Sequence, residues 1–285
     1  MKQATLPMAA LAAALFSPPA HAQELPGSPR VAEGPGDDSD DEDEKSGGID
    51  GFFAIGPGMV PSYDGSKKYE LVPLMIADVE WKGLALEIRG LGARLDLLGN
   101  SPVQVGPVFN FRGKRNSDKD GNGRVKLLND VDSAMEVGGH IGYRFGGNQY
   151  GQGEIEFDLS LVKDVSDGHD GLLGTAQVSY AAHRSQKWFV NLDAQTTWTD
   201  KKYARAYFGV TPEEAARSGL AAYRPGAGIR DIGIGTTIGY QFNQRWGVIA
   251  RAGANYYVGD AKDSPIVDEG SKIQAVGGLA VSYRF

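Results

Sequence analysis

The chain contains no cysteine. That excludes a disulfide framework, a thiolate metal site, a thiol nucleophile and an acylated N-terminal cysteine. Beyond its N-terminus it also lacks any run approaching the ~18 apolar residues that a membrane helix requires, and its mean hydropathy is −0.31. A helical membrane protein is therefore excluded. An excess of basic charge is missing too: residues 51 to 285 hold 26 Lys and Arg against 26 Asp and Glu, so nothing there forms an electrostatic footprint for nucleic acid. Neither G-x-S-x-G nor H-E-x-x-H occurs, so the sequence signatures of a nucleophile elbow and a zincin are absent. No cofactor motif is found, and none is expected to bind.

Glycine is what the chain has in abundance. It fills 40 of 285 positions, about twice the usual ~7%, without a collagen period or a low-complexity run. The first residues carry Lys2, an apolar stretch from Met8 to Phe16 and the small-x-small site Ala20-His21-Ala22, which together read as a secretory signal peptide over 1–22. Residues 23–50 are rich in Pro, Gly, Ser and acid, with seven acids among the eight residues Asp37 to Glu44. So few apolar groups cannot offset the entropy of ordering, so this is expected to be a disordered acidic arm. It accounts for the whole net charge of −7. It is either a docking segment for a basic partner or cations, or a solvated spacer.

Residues 51–285 are dominated by period-two alternation in segments of roughly ten residues. Ile155, Phe157, Leu159 and Leu161 alternate with Glu154, Glu156, Asp158 and Ser160. The same split recurs around Val137 to Phe145, Val103 to Phe111, Trp188 to Ala194, Ile232 to Tyr240 and Trp246 to Ala252. A soluble sandwich also alternates. The signal peptide, the segment length, the abundant Gly and the aromatics at segment ends (Trp81, Tyr143, Trp188, Tyr240, Trp246) point instead to lipid on the apolar face. Strands crossing a bilayer must close on themselves, so the expected fold is all-β, a transmembrane antiparallel barrel of up-and-down topology. A first count gives eleven segments, which an even strand number forbids. The apolar phase flips at Gly90, from Leu84, Leu86 and Ile88 to Leu91, Ala93 and Leu95. That stretch holds either two short strands or one bulged strand. Twelve strands are expected, with ten as the fallback, and both termini periplasmic.

The final segment, Ile273 to Phe285, is apolar on one face and ends in Tyr283-Arg284-Phe285. It resembles the C-terminal assembly signal of bacterial outer-membrane proteins, with Tyr283 and Phe285 as its key residues and the barrel-assembly machinery and outer-membrane lipid as the implied partners. The blocks Tyr63 to Tyr69, Ser166 to Gly171, Trp198 to Tyr203, Tyr207 to Thr211, Ser218 to Tyr223 and Gly259 to Val267 resemble those of the MipA/OmpV family of outer-membrane proteins, named for an MltA-interacting protein. The resemblance implies an outer-membrane barrel without shared catalytic residues. In one member it is linked to murein-synthesising and murein-cleaving enzymes, in others to adhesion, osmotic response or solute passage. The acidic arm departs from the family pattern.

Candidate sites follow from the residues. The lumen faces carry Asp78, Glu80, Glu87, Arg94, Asp96, Arg112, Glu136, Arg144, Glu154, Glu156, Asp158, Asp193, Asp231 and Arg251, which either line water or pair across a closed interior. Asp118, Asp120 and Asn122 match the first half of a calcium loop, although Asn129 stands where the bidentate Glu belongs. A solvated turn is the simpler reading. Asp167 and His169 have the residue types of a general-base pair, without a nucleophile to serve. Thr211-Pro212-Glu213-Glu214 is a helix start that Gly219 would stop, placing a helix in the longest loop, either folded inward or covering the rim. The first functional expectation is a non-enzymatic scaffold for cell-wall enzymes. The alternatives are a narrow channel for small polar solutes, an adhesion or osmotic-response barrel, and a hydrolase using Asp167 and His169.

Overall fold

The computed structural model describes residues 49–285 apart from Asn100. The signal peptide and nearly all of the acidic arm lie outside the described residues. Twelve strands form one closed barrel in which each strand pairs antiparallel with its neighbours in sequence and β1 closes onto β12. The strands are β1 (Asp50–Pro61), β2 (Tyr69–Trp81), β3 (Leu84–Arg89), β4 (Gly92–Asp96), β5 (Val103–Arg112), β6 (Ala134–Gly146), β7 (Glu154–Asp164), β8 (Leu172–Arg184), β9 (Trp188–Thr199), β10 (Gly228–Gln241), β11 (Trp246–Tyr257) and β12 (Ile273–Arg284).

The phase flip at Gly90 is a turn, and two short strands result. Gly90 takes the first position of a two-residue hairpin between Arg89 and Gly92 at φ +59°, a conformation that favours Gly. The β2–β3 turn uses Lys82 at φ +50° and Gly83 at φ +78°, the double positive φ of a type I′ hairpin, whose twist matches that of the strands.

Side chains are sorted inside out. Phe157, Leu159 and Leu161 are 51%, 58% and 52% exposed, while Glu156 and Asp158 between them are 5% and 8% exposed. Outward apolar residues gain nothing from a protein core in this arrangement, so the medium they face is hydrocarbon. Aromatic rings gather at the end of the barrel that holds the chain termini. Trp188 stands 4.6 Å from Tyr240, Trp246 4.9 Å from Tyr283, and Phe145 5.9 Å from Phe157, measured between ring centres. Rings with one apolar face and one polar edge suit the lipid interface.

Glycines let the crowded wall close. A Cβ on Gly138 would lie 1.8 Å from the Leu161 carbonyl oxygen, and one on Gly106 1.8 Å from that of Leu95. The neighbouring strand's backbone would have to move. Gly138→Ala is expected to cost about 1–3 kcal/mol through this overpacking. The check is the temperature at which the folded, fast-migrating gel band is lost.

Candidate functional site

Within the lumen an apolar group and an ionic group of side chains lie beneath a cap of loops. The first is apolar: Phe52, Ala54, Leu74, Ile76, Phe189, Ile249 and Ala280 meet as one buried cluster. Strands β1, β2, β9, β11 and β12 all contribute to it, so side chains from opposite walls touch across the axis.

The second group is ionic. Arg94 lies 2.9 Å from Glu87, 3.1 Å from Glu156 and 3.3 Å from Asp158, bridging β4 to β7. His140 Nδ1 is 3.1 Å from Asp158. Arg89 pairs with Asp78 at 2.6 Å. Arg251 holds Asp193 at 3.0 and 3.1 Å and Thr237 at 2.6 Å. With its amide nitrogen toward Glu156 (3.2 Å), Gln104 presents its oxygen to Arg144 Nε (3.3 Å). Glu154 is only partly buried, at the terminal end opposite Gly146. Charges removed from water require this pairing, because a lone buried ion loses several kcal/mol of hydration.

Above both is a cap built by the long loops. It contains the helices α1 (Ser117–Asp120), α2 (Lys201–Phe208), α3 (Pro212–Ser218), α4 (Gly259–Lys262) and α5 (Pro265–Glu269), and a short 3-10 turn, Gly123–Leu127. The Asp200 side chain caps α2 by accepting from the Lys202 and Tyr203 N–H groups at 3.1 and 2.9 Å. Tyr203, Ala204, Tyr207 and Phe208 then share one face and are buried. Thr211 and Glu214 form the capping box expected of α3, and Gly219 ends it at φ +71°. Tyr203 donates to Asp64 at 2.8 Å, Tyr257 donates to Asp64 at 3.2 Å, and Arg230 donates to the Tyr203 oxygen at 2.7 Å. Burial pushes the Tyr203 phenol well above its usual range, so it remains a donor.

Beneath the cap sits a buried triad that the residue pattern did not reveal. Arg112 Nε donates to Glu136 Oε1 at 2.9 Å, and His169 Nε2 lies 3.0 Å from the same oxygen. His169 Nδ1 accepts from the Gly171 N–H at 3.0 Å. The proton therefore resides on Nε2 and points at Glu136. Arg112 also stacks over Tyr203 and Tyr207, 5.3 and 5.8 Å from their ring centres. The alternative pairing of His169 with Asp167 is not made. Asp167 is exposed at φ +62°, and the turn is held instead by Asp164, which accepts from the His169 and Asp170 N–H groups at 2.6 and 2.9 Å. With its imidazole engaged on both sides, His169 braces the cap.

The calcium-like segment is not an open loop. Asp118 and Asp120 lie on α1, where residues two apart point about 200° from each other. The Asn122 amide donates to Ser66 Oγ at 3.2 Å, and its N–H donates to the Tyr63 hydroxyl at 3.1 Å. Among the described residues, no group of three or more His, Asp or Glu side chains is placed to hold a metal ion.

The family model of the MltA-interacting protein MipA matches residues 53–285, nearly the whole described barrel. The chain belongs to the MipA family. Its relatives include the MltA-interacting proteins of Escherichia coli (strain K12) and Shigella flexneri, each 24% identical over 226 residues, 77% of this chain and 86% of theirs. Among solved structures, the COG4313 outer membrane channel from Pseudomonas putida F1 is 12% identical, with a TM-score of 0.42 over 87% of this chain and 99% of that one. The translocator domain of the autotransporter NalP from Neisseria meningitidis is also 12% identical, with a TM-score of 0.40 over 85% of this chain and 90% of that one.

In this MipA-family barrel the cap is fastened by ion pairs at its rim. Arg124 donates to Glu269 at 2.7 and 2.9 Å and to the Gly219 carbonyl at 2.8 Å, joining three loops. These bonds hold the Glu269 carboxyl below the usual range. A depressed carboxyl contributes stability above its unfolded pKa and loses it as pH falls through the folded value. Trypsin cleavage after Arg124 is therefore expected to accelerate on acidification below about pH 4, after correction for trypsin's own pH dependence on an unfolded control, and to lose that acid step in Glu269→Gln. Beneath the cap, Arg112→Ala leaves Glu136 buried without its cation and is expected to cost about 3–5 kcal/mol. Denaturant unfolding in detergent reads that loss.

Proposed function

We propose that this protein is a non-enzymatic scaffold of the bacterial outer membrane that docks cell-wall enzymes at its terminal end. The observation that carries the reading is the membership of relatives named for interaction with MltA, combined with a lumen taken up by side chains. Arg94 joins β4 to β7, the apolar cluster joins β1 to β9, and helices cover the far mouth. Surface is then what the molecule offers a partner. In this reading residues 1–22 are a cleaved export signal, both termini and the short turns are periplasmic, Tyr283 and Phe285 address the chain to the assembly machinery, and the acidic arm extends the docking surface.

The short turns at the terminal end fit that role. The β6–β7 turn exposes Tyr150, and the β10–β11 turn exposes Phe242. The β6–β7 turn is pre-shaped by Asn148 Oδ1, which accepts from the Tyr150 and Gln152 N–H groups at 2.9 and 3.1 Å. Exposed aromatics on rigid turns supply binding area at small entropic cost.

Pull-down of the full chain from detergent extracts is expected to recover murein hydrolases or synthases. Deletion of residues 24–50, or Tyr150→Ser in the β6–β7 turn, is expected to lower that recovery at least about tenfold, equivalent to ~1.4 kcal/mol. Unchanged recovery in both variants would remove the terminal end as the docking surface. The purified barrel in planar bilayers is expected to give no stepwise conductance; steps altered by Arg251→Glu would establish a channel instead.

A further inference from the structure

The barrel wall has a window. β3 covers only the lower half of β2, since their register runs from Trp81↔Leu84 to Ile76↔Arg89 and stops at the Gly90 turn. The last rungs are Gly90 N–H to the Met75 carbonyl at 2.8 Å on one side and Phe111 N–H to the Leu91 carbonyl at 3.2 Å on the other. Above them, β2 continues through Pro73, Leu71 and Tyr69 with its outer edge toward the missing strands. Alternation along an antiparallel ladder assigns those three residues the groups facing that side. Among the described residues none of the three has a strand partner there. At the hairpin tip β2 and β5 are three strand spacings apart, about 14 Å. The top is bridged where Lys68 Nζ donates to the Gly121 carbonyl at 2.9 Å and Asn122 meets Tyr63.

A cavity of about 110 Å³ lies beside the tip of the β3–β4 hairpin, toward β5. Leu91, Ala93 and Phe111 form its apolar mouth, and Ser160, Thr175 and Gln177 lie on its polar inner wall. The charges on its lining are engaged in ion pairs: Arg94 with Glu87 and Asp158, Arg112 with Glu136, and Arg89 with Glu87 and, beyond the lining, with Asp78. The wall residue His140 turns Nδ1 to Asp158, and its Nε2 has no partner in the structure.

We infer that this window is a lateral entry from the lipid layer at the loop end into a binding chamber for a small single-chain amphiphile with an uncharged hydroxyl head. Two observations select that chemistry. The apolar mouth accepts an alkyl tail that stays among the lipids. The charges inside are already engaged with one another and leave none for an ionic head, while the hydroxyl and amide lining hydrogen-bonds a neutral one. This inference is independent of the scaffold reading, because it concerns the opposite half of the wall.

The absence of cysteine makes the test clean. Gln177→Cys places one thiol in the chamber, with Thr175→Cys as a second reporter, each verified as folded by heat-modifiable gel migration. In liposomes, N-dodecylmaleimide dissolved in the bilayer is expected to label that thiol at least tenfold faster than a membrane-impermeant maleimide in the water. Ala93→Trp or Leu91→Trp, which fill the mouth from the lipid side, are expected to abolish that advantage. 1-Dodecanol is expected to slow labelling, and dodecane to leave it unchanged. Equal labelling by the aqueous reagent, or indifference to both mouth variants, would overturn the lateral entry. Protection by dodecane as strong as by dodecanol, or by neither, would overturn the hydroxyl-headed ligand.

Discussion

Hydrocarbon offers a peptide group no hydrogen bond, and everything else in this molecule depends on that. A strand entering the bilayer leaves donors and acceptors on both edges, so the sheet must return to its own beginning. Closure of β1 against β12 meets this demand. The remaining features follow from it: apolar side chains outward, polar side chains inward, and glycines where strand backbones press too closely for a methyl group.

Closure creates the second problem, an interior lined with ionisable groups. Twelve strands enclose more space than an apolar core of ordinary side chains fills alone, and the solution is divided. Aliphatic and aromatic side chains of β1, β2, β9, β11 and β12 fill one part, guanidinium–carboxylate pairs another, and loop helices cover the far mouth. The aromatic face of α2 is the keystone, because it packs on β8 and β11 residues while Tyr203 binds Asp64 and Arg230. Arg112 links the ionic group to the cap by pairing with Glu136 below and stacking on Tyr203 and Tyr207 above.

Much of the wall was legible in the sequence because period-two alternation is a direct record of which side faces lipid. The flip at Gly90 localised the one irregular hairpin, and the strand count followed from parity. The capping box at Thr211 likewise gave α3, since its signal is local. The interior was less legible. Glu136 and His169 are 33 residues apart, and Asp64 and Tyr257 are 193 apart. Short-range spacing carries no trace of such pairs, and Asp167 drew the eye only because it stands two residues from His169. Helix α2 leaves no such mark in the sequence, although Asp200 is a proper cap, because its eight residues carry too few turns to show a period. The window was hidden for another reason: it follows from how far β3 climbs along β2, a matter of register.

Gln274 on β12 accepts from the Gly65 N–H at 3.2 Å and donates to the Ser66 carbonyl at 3.1 Å. Those two residues belong to the loop leaving β1, so this amide is a clasp across the seam where the first and last strands meet. Gly65 and Ser66 gain these two bonds only when the twelfth strand has docked. The cap of this barrel is thereby a certificate of completion: a chain whose circle is still open lacks the geometry to fasten its lid.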